Sequence, residues 1–63
     1  MRALRTDFVT SRIARLKGQK QREYATAQWA WLNDLGPMPN PKQFEIGRRE
    51  AHTARIMLAT LKY

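Results

Sequence analysis

The sequence predicts an all-α protein, an antiparallel helical hairpin of two long helices, with the first bent or broken near Gly18. Apolar residues recur at spacings of three and four along most of the chain, the signature of amphipathic helices. One stiff segment, Gly36-Pro37-Met38-Pro39-Asn40-Pro41, divides that pattern in two. A helix-start signal, Asn40-Pro41-Lys42-Gln43, follows directly. With 63 residues the chain forms one small domain, and it has no cysteine to staple it.

The first helix is expected over residues 6–35. Thr6 offers a capping hydroxyl, and Asp7 complements the positive end of the helix dipole. Val9, Ile13, Leu16, Tyr24, Ala27, Trp31 and Leu35 share one face when residues advance by about 100°. Gly18 and Lys20 interrupt that face. Gly18 could end a helix after Lys17 and give three helices. Gln19 to Glu23 are strong helix formers, however, and no Ser, Thr, Asp or Asn restarts a helix there, which favours one long helix.

The connector covers residues 36–40. Gly36 suits the left-handed position beyond a helix end, and Pro37 cannot continue a helix. Prolines at 37, 39 and 41 push Met38 and Asn40 toward extended backbone. A short, stiff link favours antiparallel neighbours.

The second helix is expected over residues 41–62. Asn40 caps it, Pro41 takes the first helical position and Gln43 completes a capping box. Phe44, Gly47, Ala51, Ala54, Leu58 and Leu61 form a seam with a small-residue middle, which lets another helix approach closely.

Charge is distributed unevenly. The formal net charge is +7, yet residues 23–41 hold no Lys or Arg and contain both tryptophans. Folding the chain back about Met38 sets Arg22 near Ala54 and Arg15 near Leu61. Arg2, Arg5, Arg12, Arg15, Lys17, Arg55 and Lys62 then gather at the open end. Stripes of Arg12, Arg15 and Arg22 on the first helix, and Arg48, Arg55 and Lys62 beside His52 on the second, present cations to phosphates or to an acidic protein face. A solvated polar helix face is the bland alternative. Only Glu45 and Arg49 offer a favourable i,i+4 pair, worth about 0.2–0.5 kcal/mol.

Trp29 and Trp31 lie about 200° apart on a helix. Trp31 is assigned to the core with Ala27 and Leu35. Trp29, Phe8 and Ile56 fall off the seams, where a two-helix hairpin cannot cover them, so they are the expected partner contacts.

Several function classes lack their residues. No glycine-rich phosphate loop, nucleophile–base pair or carboxylate pair is present, so no catalytic residue is assigned. One histidine without cysteine excludes the usual structural zinc sites, and no metal or cofactor is expected. No apolar run reaches the roughly 18 residues a membrane span needs. The first 20 residues are Arg-rich and nearly acid-free, as in a mitochondrial presequence, but the pattern continues past them and fits a basic helix better.

The expected function is that of a small, basic, non-enzymatic regulator or inhibitor docking on a larger protein, one that handles nucleic acid. The alternative is direct, sequence-independent binding of nucleic acid through the cationic stripes. Lesser alternatives are a homodimer formed through the Phe44–Leu61 seam and a membrane-surface peptide. A small viral or mobile-element accessory protein has this size and charge, and lack of cysteine fits the cytoplasm.

Overall fold

The computed structural model describes residues 2–60, with side chains described for residues 8–59. Over that range the fold is all-α. It comprises α1 (Arg2–Ile13), α2 (Gln19–Leu32), a 3₁₀ turn (Pro41–Phe44) and α3 (Arg48–Thr60). The side chains of Thr6 and Asp7 lie outside the described set, as does Leu61 of the seam.

The long first helix expected over residues 6–35 is two helices. Beyond Ile13 the backbone tightens, with Arg15 and Leu16 donating three residues back, to Arg12 and Ile13, at 3.1 and 3.0 Å. Arg22 Nη1 then donates to the carbonyls of Leu16 and Lys17, at 2.8 and 3.2 Å. In a continuous helix those carbonyls would accept from the amides of Lys20 and Gln21. Gly18 between them is extended (φ −94°, ψ 141°), and its carbonyl opens α2 by accepting from Arg22 N. The side chain of Arg22, reaching back five and six residues, thus satisfies carbonyls that the break exposes, a role helix propensity does not show.

Helix α2 ends in a Schellman turn. Leu35 N donates to Ala30 O at 2.8 Å and Asp34 N to Trp31 O at 3.0 Å, while Asp34 takes the left-handed conformation (φ 59°). That position was expected at Gly36, two residues later. An Asp can sit there because its short polar side chain tolerates this region better than most.

Asn40 caps as expected, but the element it starts is the 3₁₀ turn. Its side chain accepts from Lys42 N at 3.0 Å, and Pro41 follows at the first position. Glu45, also left-handed (φ 58°), ends the turn. Helix α3 then starts at Arg48, with Gly47 N–H donating to Glu50 Oε1 at 2.9 Å. This is the carboxylate half of a capping box. The second helix thus begins seven residues later than the proline signal implies.

That delay changes how the chain returns. Extended backbone advances about 3.3 Å per residue and helix only about 1.5 Å. The segment after α2 therefore runs back along that helix in few residues. Phe44 meets Tyr24 edge-to-face, with centroids 5.7 Å apart. Glu45 reaches Lys20 at 3.1 Å. The carbonyl of Glu50 accepts from Gln21 Nε2 at 3.0 Å. The start of α3 thus lies beside the start of α2, where a tight hairpin about Met38 would have put Ala54 near Arg22.

The core sits between the three helices. Val9 and Ile13 come from α1, Tyr24 and Ala25 from α2, and Ala51, Ala54 and Leu58 from α3. The α3 set matches the expected seam. On α2 the buried face is Gln21, Tyr24, Ala25 and Gln28, turned by about 75° from the predicted one. Only Tyr24 belongs to both. Two buried glutamines carry this face, and Gln21 earns its place through the bond to Glu50. No enclosed side-chain nitrogen or oxygen among the described residues lacks a partner.

Candidate functional site

The rotated face of α2 redistributes its aromatics. The two indoles now flank the buried strip, one on each side. Helix α1 covers the Trp29 side, where Trp29 is half-buried against the core and borders a gap of about 260 Å³ with Val9, Thr10, Ile13 and Thr26. Trp31, expected in the core, is 38% exposed. Leu32, Leu35 and Met38 follow it at 52%, 69% and 67%. Among the described residues, four of the six exposed large hydrophobics therefore lie within residues 31–38. The other two are Phe8 and Ile56, both exposed as their off-seam positions imply. Phe8 has a local cover, because the Arg12 guanidinium lies over its ring at 5.8 Å. Assigning Trp31 to the core face hides the Trp31–Met38 strip in the sequence. The signal that could have found it is four large apolar residues within residues 31–38, a stretch without Lys or Arg that runs into the connector.

The cations do not gather at one tip. Arg22 is half-buried and spends its guanidinium on the α1–α2 junction, so it is a structural residue in this fold. The side chains of Arg5 and Lys62 lie outside the described residues. The side chain of Arg2 lies outside them too, and Arg12 stands over Phe8. Seven other basic residues border two grooves that share Ile46. One, of about 940 Å³, lies between the α1–α2 junction and the start of α3 and contains Arg15, Lys17, Lys20 and Arg49. Glu45 and Glu50 line it too. Lys20 is paired with Glu45, the one ion pair among the described residues, and Glu50 is turned to the Gly47 amide. The expected Glu45–Arg49 pair does not form, because Glu45 ends the 3₁₀ turn and stands outside α3.

The other groove, of about 340 Å³, lies between the 3₁₀ turn and α3 and contains Lys42, Arg48 and Arg55. No carboxylate is among its described lining residues. Arg48, His52 and Arg55 are all exposed on one side of α3.

Among the described residues, no His, Asp and Glu side chains cluster as metal ligands. No described helix is long and apolar enough to cross a membrane. Ala51, Ala54 and Leu58 are buried within the chain, so a dimer through their seam would have to open the core. Comparison with protein-family models, with curated proteins and with solved structures returns no match for the chain.

Proposed function

We propose that this chain is a small, basic, non-enzymatic regulatory protein that docks on a larger protein. One observation carries the reading: Trp31, Leu32, Leu35 and Met38, four large apolar side chains within eight residues, are all exposed. An apolar strip of this density on so small a domain marks an interaction surface. Tryptophan flanked by aliphatic side chains is a favoured anchor at interfaces. The strip lies in the stretch without Lys or Arg, while the rest of the chain carries the positive charge. A partner with an apolar cleft beside an acidic rim matches both parts: the cleft supplies affinity and the rim speeds encounter. Trp31 takes the anchoring role that the sequence pattern assigned to Trp29.

The test is retrieval on the immobilised full chain from an extract of its source cells, with and without nuclease. The reading predicts a protein partner that survives nuclease treatment and is lost with the Trp31→Ala, Leu35→Asp variant, whose helicity by circular dichroism is unchanged. Truncating such an anchor should weaken affinity by about 30-fold or more. Recovery that vanishes with nuclease, or that ignores both substitutions, contradicts the reading.

A further inference from the structure

We infer that the groove between the 3₁₀ turn and α3 binds the sugar–phosphate backbone of a nucleic-acid strand, through Lys42, Arg48 and Arg55. This inference is independent of the protein-docking reading, which uses Trp31, Leu32, Leu35 and Met38, none of them in the lining of this groove.

The groove is built from both of its walls. Asn40 accepts from the backbone amide of Lys42 and holds the start of the 3₁₀ turn, which sets the position of Lys42. Arg48 and Arg55 rise from the opposite wall, seven residues apart on α3. Two helical turns separate them by about 10.5 Å along the axis. Ile46 and the buried Ala51 lie between the walls. None of the three cations makes an ion pair or side-chain hydrogen bond with another described residue.

Three unneutralised cations over an apolar floor call for anions. Their linear spread calls for several anions in a row rather than one. The Arg48–Arg55 span of about 10.5 Å is longer than one phosphate, so the cations meet successive phosphates along a strand. Guanidinium groups match phosphate oxygens in a two-pronged geometry, and the lysine supplies a point charge. His52, on the same side of α3, adds a polar ring between the arginines. These residues grip the backbone and leave base edges unread, so binding should be indifferent to sequence.

The neighbouring groove supplies an internal control. It holds four cations, but two carboxylates share it and one cation is already paired. Removing two arginines from either groove changes the net charge equally, and only one removal should matter.

The experiment is a fluorescence-anisotropy titration of the full chain against a labelled 20-nucleotide single strand across a salt series. Arg48→Gln, Arg55→Gln should weaken binding at least tenfold and reduce the log–log salt slope by about 1.4, at about 0.7 per lost contact on a single strand. Arg15→Gln, Arg49→Gln should change affinity less than threefold. Should the first pair disturb helicity, Lys42→Gln alone replaces it, with a slope change of about 0.7. Equal losses from both pairs would overturn the groove as a site while leaving charge-driven binding intact. No binding at low salt would overturn nucleic-acid contact altogether. Displacement by poly-glutamate as readily as by unlabelled oligonucleotide would reassign the groove to acidic protein.

Discussion

The two grooves that share Ile46 have similar basic content and differ in what surrounds their cations. The groove beside the α1–α2 junction is a joint. Gln21 bridges α2 to α3 there, Glu50 caps α3, Glu45 ties the returning chain to Lys20, and the nearby Arg22 closes the end of α1. The groove beside the 3₁₀ turn has Lys42, Arg48 and Arg55 on its walls and no described ion pair across it. Arg15, Lys17 and Arg49 are as unpaired in the first groove as Lys42, Arg48 and Arg55 are in the second, and the grooves differ in the carboxylates that share the first. The difference comes from which carboxylates and carbonyls the returning chain brings to them, not from their number in the sequence.

If the first groove is a joint and the second a binding surface, substitutions should separate stability from binding. The largest expected effect on stability is at Gln21, buried at 8% exposure and bonded across to α3. Gln21→Ala removes that bond and its packing and should cost about 1.5 kcal/mol. In a domain this small, thermal unfolding followed by circular dichroism should register a drop of roughly 6–12 °C. A drop under a degree or two would dissolve the distinction between the grooves.

Next comes Arg22→Gln, which withdraws the donor shared by the Leu16 and Lys17 carbonyls. The carbonyls sit near solvent, so water replaces part of the loss and the cost should be about 1 kcal/mol. Hydrogen exchange should rise first around residues 13–18. Protection spreading into this segment would mean that Arg22 is not what holds the break open.

The smallest effect is a gain. Glu45 is left-handed at φ 58°, a conformation glycine adopts without strain. Glu45→Gly relieves that strain, but it gives up an exposed ion pair and loosens the unfolded chain. The net should be about 0.5 kcal/mol of added stability, measured by urea titration. A loss of 1 kcal/mol or more would show that the Lys20 pair dominates. By contrast Arg48→Gln, Arg55→Gln should leave the urea midpoint within about 0.5 kcal/mol of the parent, as surface changes do.

Part of this arrangement is legible in the sequence. Ala51, Ala54 and Leu58 read as a seam and are buried as one. Arg48 and Arg55 read as a stripe and stand on one side of α3. The Asn40-Pro41 signal is real, but a cap specifies that a helical turn starts, not how long it lasts. The left-handed Glu45 stops this one after Phe44. Lys42 could not be joined to the stripe without that stop. The α2 face is misplaced because the pattern is built from apolar residues alone, whereas Gln21 and Gln28 are buried. Burial of Gln21 depends on a carbonyl 29 residues away, which no local window contains. Arg22 is hidden for a different reason: its partners are only five and six residues away, but they become free only when the backbone leaves the helix after Ile13.

Both grooves and the exposed strip depend on the returning segment running extended along α2, so that the Phe44 ring meets the Tyr24 ring. Two-dimensional NOE spectroscopy on the full chain tests this directly. Ring centroids 5.7 Å apart should give strong cross-peaks between Tyr24 and Phe44 ring protons. Absence of those peaks, with contacts from the Tyr24 ring to His52 instead, would restore the tight hairpin about Met38 and remove both grooves.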